Sequence, residues 1–348
     1  MNVQIAPMPR CCQDGAQGCE PPRLEHSLLQ TAEPVQTAVE TGRPRDIMRS
    51  RDITAIIDLD RIRASARAVR AKTGVPLIAV IKADAYGLGA ERVAGALDGI
   101  ADDFAYFTPD EAALVGRPGL IMGPPAGEPE LYRELGLRAT ITTRVQAARF
   151  RGLPVAVNAD TGMQREGCPL EQVDELMALT GSDELYTHAV GVSSARQLKD
   201  FRGNRRLRLH AASTSLLDSA EAWLDAVRPG YALYRGALRV AGRLTYVRDT
   251  HGPVGYSRFE YPRIGIMNCG YAYGLRPAPV MINGRAQQIL EVGMNTCLIS
   301  ADPRDRAGDE VVLLGDNLTA EVLAAELKVR PHEILCRYSG LGDRRYLG

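Results

Sequence analysis

The chain has 348 residues, 45% of them hydrophobic, with 42 basic and 42 acidic side chains. That length buries a substantial core and points to two domains, while a net charge of zero removes the polyelectrolyte drive toward nucleic acid or an anionic membrane. No run approaches the roughly 18 apolar residues of a membrane span, and Met1–Arg10 lacks the apolar core of a secretory signal, so a cytoplasmic protein is expected.

Residues 1–50, rich in Gln, Pro, Glu, Thr and Arg without apolar periodicity, read as a flexible N-terminal extension. Cys11, Cys12 and Cys19 cluster there, but His26 is the only histidine nearby and no metal is expected. The chain has seven cysteines, and Cys168, Cys269, Cys297 and Cys336 are scattered as small buried thiols usually are, which argues against a disulfide framework.

From Arg51 the texture changes. Thr54–Leu59 alternates as a strand, and Arg61–Lys72 has helix-forming composition closed by Gly74 and Pro76. Strand candidates then follow at Val75–Lys82, Asp103–Phe107, Leu120–Met122, Ala139–Thr142, Pro154–Asn158, Leu185–Val190, Leu207–His210 and Ala226–Arg228, with helix-like segments between most of them. Eight such repeats predict an α/β fold of parallel strands closed into a (β/α)8 TIM-type barrel over residues 51–236, with some helices abbreviated because the segment is short. A doubly wound open sheet is the alternative. Beyond Gly236 the short strands Arg243–Val247, Pro262–Met267, Val280–Ile282, Gln287–Val292, Cys297–Ile299 and Val311–Leu314, with turns at Asn283-Gly284 and Gly308-Asp309, predict a mostly β C-terminal domain over 237–348. Thr54–Leu59 is expected to join it.

The most informative string is Ile78-Ala-Val-Ile-Lys82-Ala-Asp-Ala-Tyr86-Gly-Leu-Gly89. It puts a lysine at the carboxyl end of an apolar strand, where barrels place their chemistry, in surroundings that depress a lysine pKa toward a nucleophilic amine. A lysine snorkelling to solvent is the competing reading. Arg165, His188, Thr214 and Arg228 also fall at or after the carboxyl ends of strand candidates. The loops Ala212-Ser-Thr214-Ser215 and Arg228-Pro-Gly-Tyr231 can supply donors to a phosphate, with Ser213 or Thr214 equally serviceable as a helix N-cap.

The lysine string resembles the cofactor-lysine motif of the alanine racemase family, enzymes dependent on pyridoxal 5'-phosphate (PLP), and the likeness extends over about residues 51–346. The resemblance implies that Lys82 carries the cofactor, that Tyr86, Ser213 or Thr214, Gly230 and Tyr231 hold its phosphate, and that Arg228 faces its pyridine nitrogen. A protonated arginine there weakens the ring as an electron sink and favours prompt return of an α-proton over decarboxylation. Lys82 and Tyr256, in Pro253-Val-Gly-Tyr-Ser, become two bases on opposite faces of the substrate, with His188 and Arg165 as the network that lowers the tyrosine pKa. Met294 and Tyr271 match segments that meet the substrate. The family arrangement further implies a head-to-tail homodimer with shared active sites and a small amino acid, alanine by default, as substrate. Other readings are a PLP-binding carrier or regulatory protein without turnover, and an enzyme of a specialised pathway with an altered reaction. Departures from the common pattern are Leu88 for histidine, Tyr273 and Asn295 for aspartates, Ser213-Thr214 for Asn-Ser, and Asn158 where a lysine is frequent.

Overall fold

Apolar residues at every second position, Ile53, Ala55 and Ile57, all fully buried, make the first strand, β1 (Ser50–Asp58). Asp58 then caps the helix Leu59–Thr73 by accepting from the Arg61 amide, and Gly74, left-handed at φ 67°, ends it. The computed structural model describes residues 49–348. The expected flexible extension, Arg49 and Ser50 aside, and the Cys11, Cys12, Cys19 group lie outside the described residues.

Seven short strands follow, β2 (Ile78–Val80), β3 (Asp103–Tyr106), β4 (Gly119–Ile121), β5 (Leu137–Ile141), β6 (Val155–Asn158), β7 (Glu184–Tyr186) and β8 (Arg208–His210), each parallel to the next in chain order. The expected eighth strand, Ala226–Arg228, is present as two parallel bridges, Ala226 to His210 and Val227 to Leu77, which join β8 back to β2. Consecutive order with this return closes a barrel. It leaves no reversal of strand order, so the doubly wound alternative falls. The shortage of residues is met by helices of six or seven residues, such as Pro129–Glu134 and Arg144–Arg149. Between β8 and Ala226 there are only two 3₁₀ turns, Thr214–Leu216 and Ala220–Ala222.

The C-terminal strands are β9 (Leu238–Asp249), β10 (Arg263–Met267), β11 (Pro279–Ile282), β12 (Arg285–Val292), β13 (Cys297–Ser300), β14 (Glu310–Leu314) and β15 (Gly342–Leu347). With β1 they form one sheet in the order β10-β13-β12-β11-β14-β9-β1-β15, and β10 pairs back onto β9. β1, the expected early strand, lies antiparallel to β9 and parallel to β15, so the chain enters the sheet before it builds the barrel. Sequence patterning gave no expectation of β15 or of the helices Ala320–Leu327 and Pro331–Tyr338. In β15 only Gly342 is buried, because the strand is an edge, and an edge carries little apolar signal.

Candidate active site

Lys82 stands where β2 has ended. The expected strand to Lys82 stops at Val80 because the chain then turns left-handed through Ala83 (φ 53°, ψ 48°), Asp84 and Ala85 (φ 51°, ψ 52°). Tyr86 follows at φ 59°, and four consecutive non-glycine residues at positive φ cost roughly 1–2 kcal/mol each, so the turn needs outside support. Glu111 supplies it from the barrel side, accepting from the Ala83 amide at 2.9 Å and the Phe107 amide at 2.7 Å. Asp84 supplies it from the other side, accepting from the Ala90 amide at 2.7 Å and pairing with Arg344 of β15. The Lys82 amine lies 5.8 Å from the centre of the Phe107 ring. Its burial, then the nearby charge of Arg165, holds its pKa below the ordinary lysine value.

Across the rim, Thr214 Oγ1 accepts from the amides of Gly230 (3.3 Å) and Ala232 (3.1 Å). With its lone pairs taken, the Thr214 hydroxyl proton is free to donate to an anion. A Cβ on Gly230 would come within 2.1 Å of the Tyr86 hydroxyl, so only glycine lets that phenol approach the loop. Burial pushes the Tyr86 pKa up to about 12, which keeps it a donor at neutral pH. Ser213 turns instead to Ser215, with the two hydroxyls 3.3 Å apart. The Tyr231 hydroxyl donates to Glu321 at 2.7 Å, which leaves the cradle only its backbone.

Arg228 is 3% exposed and donates to the carbonyls of His210 (2.9 Å) and Thr187 (2.6 Å) and to His210 Nδ1. Burial lowers its pKa to about 10, which leaves it charged at neutral pH. His188, half-buried one residue beyond Thr187, is pulled down to about 4 by burial and by the charges of Arg228, Arg165 and Lys82. The neutral imidazole is favoured here, so of the two residues expected around the tyrosine Arg165 is the one that brings a charge. Arg165 is exposed, on a loop that Asp160 holds by accepting from the amides of Gly162 (2.8 Å) and Gln164 (3.1 Å). Asn158 beneath it is buried, gives its amide to the Glu166 carbonyl at 3.3 Å, and leaves Oδ1 with no partner among the described residues.

Lys82, Arg165, His188 and Arg228 thus interact at one rim, and Tyr86, Thr214 and Gly230 at a cradle beside it. Tyr256, Tyr271 and Met294 are elsewhere, on the β domain, and their exposures of 94%, 52% and 60% show no cover from the barrel of the same chain. They form a second group. Glu291 Oε1 accepts from the Tyr256 amide at 3.0 Å and its other oxygen from the Ser257 amide at 2.7 Å, while the Tyr271 amide donates to the Gly293 carbonyl (2.9 Å) and that of Ala272 to the Met294 carbonyl (3.0 Å). Two departures from the family pattern meet here, since Asn295 Nδ2 donates to the Tyr273 hydroxyl at 3.2 Å. Leu88, the third, is fully buried in the core and lines nothing.

Sequence reasoning missed Glu111, Asp84 and His210. His210 could have been found, because it ends a predicted strand on the catalytic rim; Glu111 lies in no motif, and Asp84, although inside the lysine string, acts only through the turn it braces. Among the described residues no group of three or more metal-ligating side chains occurs, and no helix is long and apolar enough to cross a membrane.

The residues present fit PLP. A half-buried amine of lowered pKa suits its aldehyde, a cradle that a single Cβ would fill suits its phosphate, and a buried guanidinium with no carboxylate in direct contact suits its ring nitrogen.

Comparison with known proteins agrees. Residues 57–237 match the family described as "Alanine racemase, N-terminal domain" and residues 240–346 that described as "Alanine racemase, C-terminal domain". An alanine racemase of Xanthomonas campestris is 32% identical over 347 residues, spanning 82% of this chain and 96% of the relative. Among solved structures, the biosynthetic alanine racemase of Pseudomonas aeruginosa is 26% identical with a TM-score of 0.76, covering 86% of this chain and 100% of its own. The fold is also that of the alanine racemase of Bartonella henselae, described with covalently bound pyridoxal phosphate, at 21% identity and a TM-score of 0.77 over 86% of this chain and 100% of that one.

Proposed function

The chain belongs to the alanine racemase family and is a PLP-dependent amino-acid racemase, and we propose that it interconverts the enantiomers of alanine or another small amino acid in the cytoplasm, with Lys82 and Tyr256 as opposed bases. The observation that carries this is the convergence of a lysine of lowered pKa with Arg165, His188 and Arg228 beside the Thr214–Gly230 cradle.

When bound, the cofactor supplies an aldehyde that condenses with the substrate amine and a ring that draws electrons from its α-carbon. The protein's own part begins with holding that group. Tyr86 and Thr214 would hold the phosphate by hydrogen bonds from their hydroxyls, with the Tyr231 backbone lining the same loop, and the Arg228 guanidinium would donate a hydrogen bond to the ring nitrogen without protonating it. Lys82 Nζ, whose pKa burial lowers, removes or returns the α-proton on one face. The hydroxyl of Tyr256 does so on the other. The near-complete exposure of Tyr256 on its own chain supports a role for it in a second protomer's site, in a head-to-tail homodimer with shared active sites. Arg165 and neutral His188 then meet the tyrosine, Arg165 favouring its phenolate and His188 taking part in its hydrogen bonding. Met294 and Tyr271 arrive on the same domain and close on the substrate.

The Asn295–Tyr273 pair replaces two carboxylates with a neutral hydrogen bond, which leaves the reaction type intact and makes the entrance the place where substrate choice is set. The test is incubation of the purified protein with single L-amino acids in D2O, following α-deuteration and chirality. Deuteration with inversion is expected for alanine or another small amino acid. No exchange with any of them overturns the reading, and deuteration without inversion removes Tyr256 from it.

A further inference from the structure

Beneath Arg228 the barrel holds a line of charges that the reaction does not use. Arg138, on β5, donates to Glu184 Oε2 at 2.8 Å and pairs with Asp103. Arg208 adds weaker contacts, 3.6 Å to Glu184 and 3.9 Å to Asp103. Glu184, 4% exposed at the start of β7, lies 2.9 Å from Nε2 of His210, which is fully buried. His210 Nδ1 in turn meets the Arg228 guanidinium. The line draws on four strands, β3, β5, β7 and β8, and ends on the arginine.

The protonation pattern is fixed by who can donate. A guanidinium has only donors, so the His210 nitrogen that faces Arg228 must offer a lone pair, and the other must carry the proton. That proton needs an acceptor. Glu184 Oε2 already accepts from Arg138 and Oε1 faces His210, and both oxygens can accept together only while the carboxyl is ionised. Burial opposes its ionisation, but the His210 hydrogen bond and the neighbouring guanidinia of Arg138 and Arg208 outweigh it and hold the carboxyl below the ordinary range. His210 is itself kept neutral by burial and by Arg228. Tyr186 stacks on its ring, centroids 5.0 Å apart and planes within 8°, so the imidazole cannot swing to another partner.

We propose that Glu184 is a positioning residue for Arg228: held ionised by Arg138 and Arg208, it fixes His210 as the Nε2–H tautomer, whose Nδ1 lone pair aims the guanidinium. The logic is that of a carboxylate orienting a catalytic histidine, moved one residue further from the chemistry. It rests on the reading of Arg228 as the group facing the cofactor's ring nitrogen. It deepens that reading by extending the site through the barrel to its opposite end.

The test uses the cofactor-loaded enzyme labelled with 15N-histidine, in which the chain's five histidines give few signals and that of His210 is assigned by its loss in His210→Gln. In the unaltered protein a pyrrole-type Nε2 and a pyridine-type Nδ1 are expected. An Nδ1–H tautomer or an imidazolium overturns the proposal without any variant having to fold. Glu184→Gln can present its amide N–H to the imidazole, so a mixed or reversed tautomer is expected, with a shifted visible absorbance of the bound cofactor and turnover lowered about tenfold or more. Glu184→Asp should restore the tautomer in part. A Glu184→Gln protein that keeps tautomer, absorbance and turnover while losing only thermal stability reduces Glu184 to a structural ion pair. The tautomer signals concern this chain's own imidazole, so they succeed or fail whether or not the racemase assignment stands.

Discussion

The two groups of candidate site residues are built by different means. At the barrel rim, Lys82 and Arg228 are held by side chains that are themselves held. Glu111 and Asp84 clamp a left-handed turn, and His210 and Glu184 back a guanidinium that is 3% exposed. On the β domain, Tyr256 is 94% exposed and its loop hangs on one carboxylate, Glu291, through three hydrogen bonds. One half is finished within the chain. The other lies open to solvent on its own chain, as the proposed site shared between subunits would need. The contrast also separates two tasks: binding a charged cofactor needs preorganised donors, whereas a base that meets substrate only after docking can stay mobile until then.

The largest expected effect breaks the comparison at its centre. Lys82→Ala should abolish the visible absorbance of the bound cofactor and lower racemisation at least about a thousandfold, and Tyr256→Phe should lower it about 10²–10⁴-fold while leaving that absorbance in place. Co-refolding the two inactive variants should restore part of the activity, because a mixed dimer then holds one complete pair. Activity that stays at the level of the separate variants would place both bases on one chain. Next in size is Gly230→Ala. A Cβ at 2.1 Å from the Tyr86 hydroxyl forces the phenol away, and weakening of cofactor binding by more than about tenfold, about 1.4 kcal/mol, is expected in a fluorescence titration. Unchanged affinity would mean that the cradle is not where the phosphate sits.

The barrel's rhythm was legible because Ile78, Ala105, Leu120, Ala139 and Val157 are short apolar runs between helix-forming segments, and burial on both faces makes such runs conspicuous. Lys82, Thr214 and Arg228 could be placed because strand ends fix the rim. What stayed hidden depends on partners distant in sequence. Nothing in Ala83-Asp84-Ala85 announces a left-handed turn, since none is glycine and the conformation is imposed by Glu111 and by Arg344, which is 260 residues away from Asp84. Glu184 reads as an ordinary polar residue before a strand; only closure of the barrel brings it to His210. Tyr256 was placed by resemblance alone, and its surroundings on one chain say little because its partners are proposed to lie on another.

The halves should also part with pH. His188 and His210 are neutral in the folded protein, their pKa values lowered from 6.5 to about 4 and about 3 by burial and by Arg228. The unfolded chain therefore binds more protons as pH falls below the ordinary value, so stability is lost from there downward and the loss levels off only below the folded values. Denaturant unfolding between pH 7 and pH 4 should show a decline on the order of 1 kcal/mol per pH unit for each histidine. His188→Asn should remove one share of the slope. A flat profile would mean that these imidazoles are not held neutral.

The smallest effect tests how loosely the β-domain half is held. Glu291 sits below the ordinary carboxylate range because it accepts from the Ser257 hydroxyl and from the amides of Ser257 and Tyr256. Its depressed value means that the anchor is intact above the unfolded pKa and is lost as pH falls through the folded one. Solvent screens these bonds, so Glu291→Gln should cost little stability and slow turnover only about threefold, with KM affected less than kcat because the loop carries a proposed base and not a binding group. The visible absorbance of the bound cofactor should not move, since nothing at the barrel rim touches this loop on the same chain. If that absorbance shifts as much as it does in Glu184→Gln, the β-domain half is already packed on the cofactor before substrate arrives, and the distinction between a preorganised half and a docking half fails.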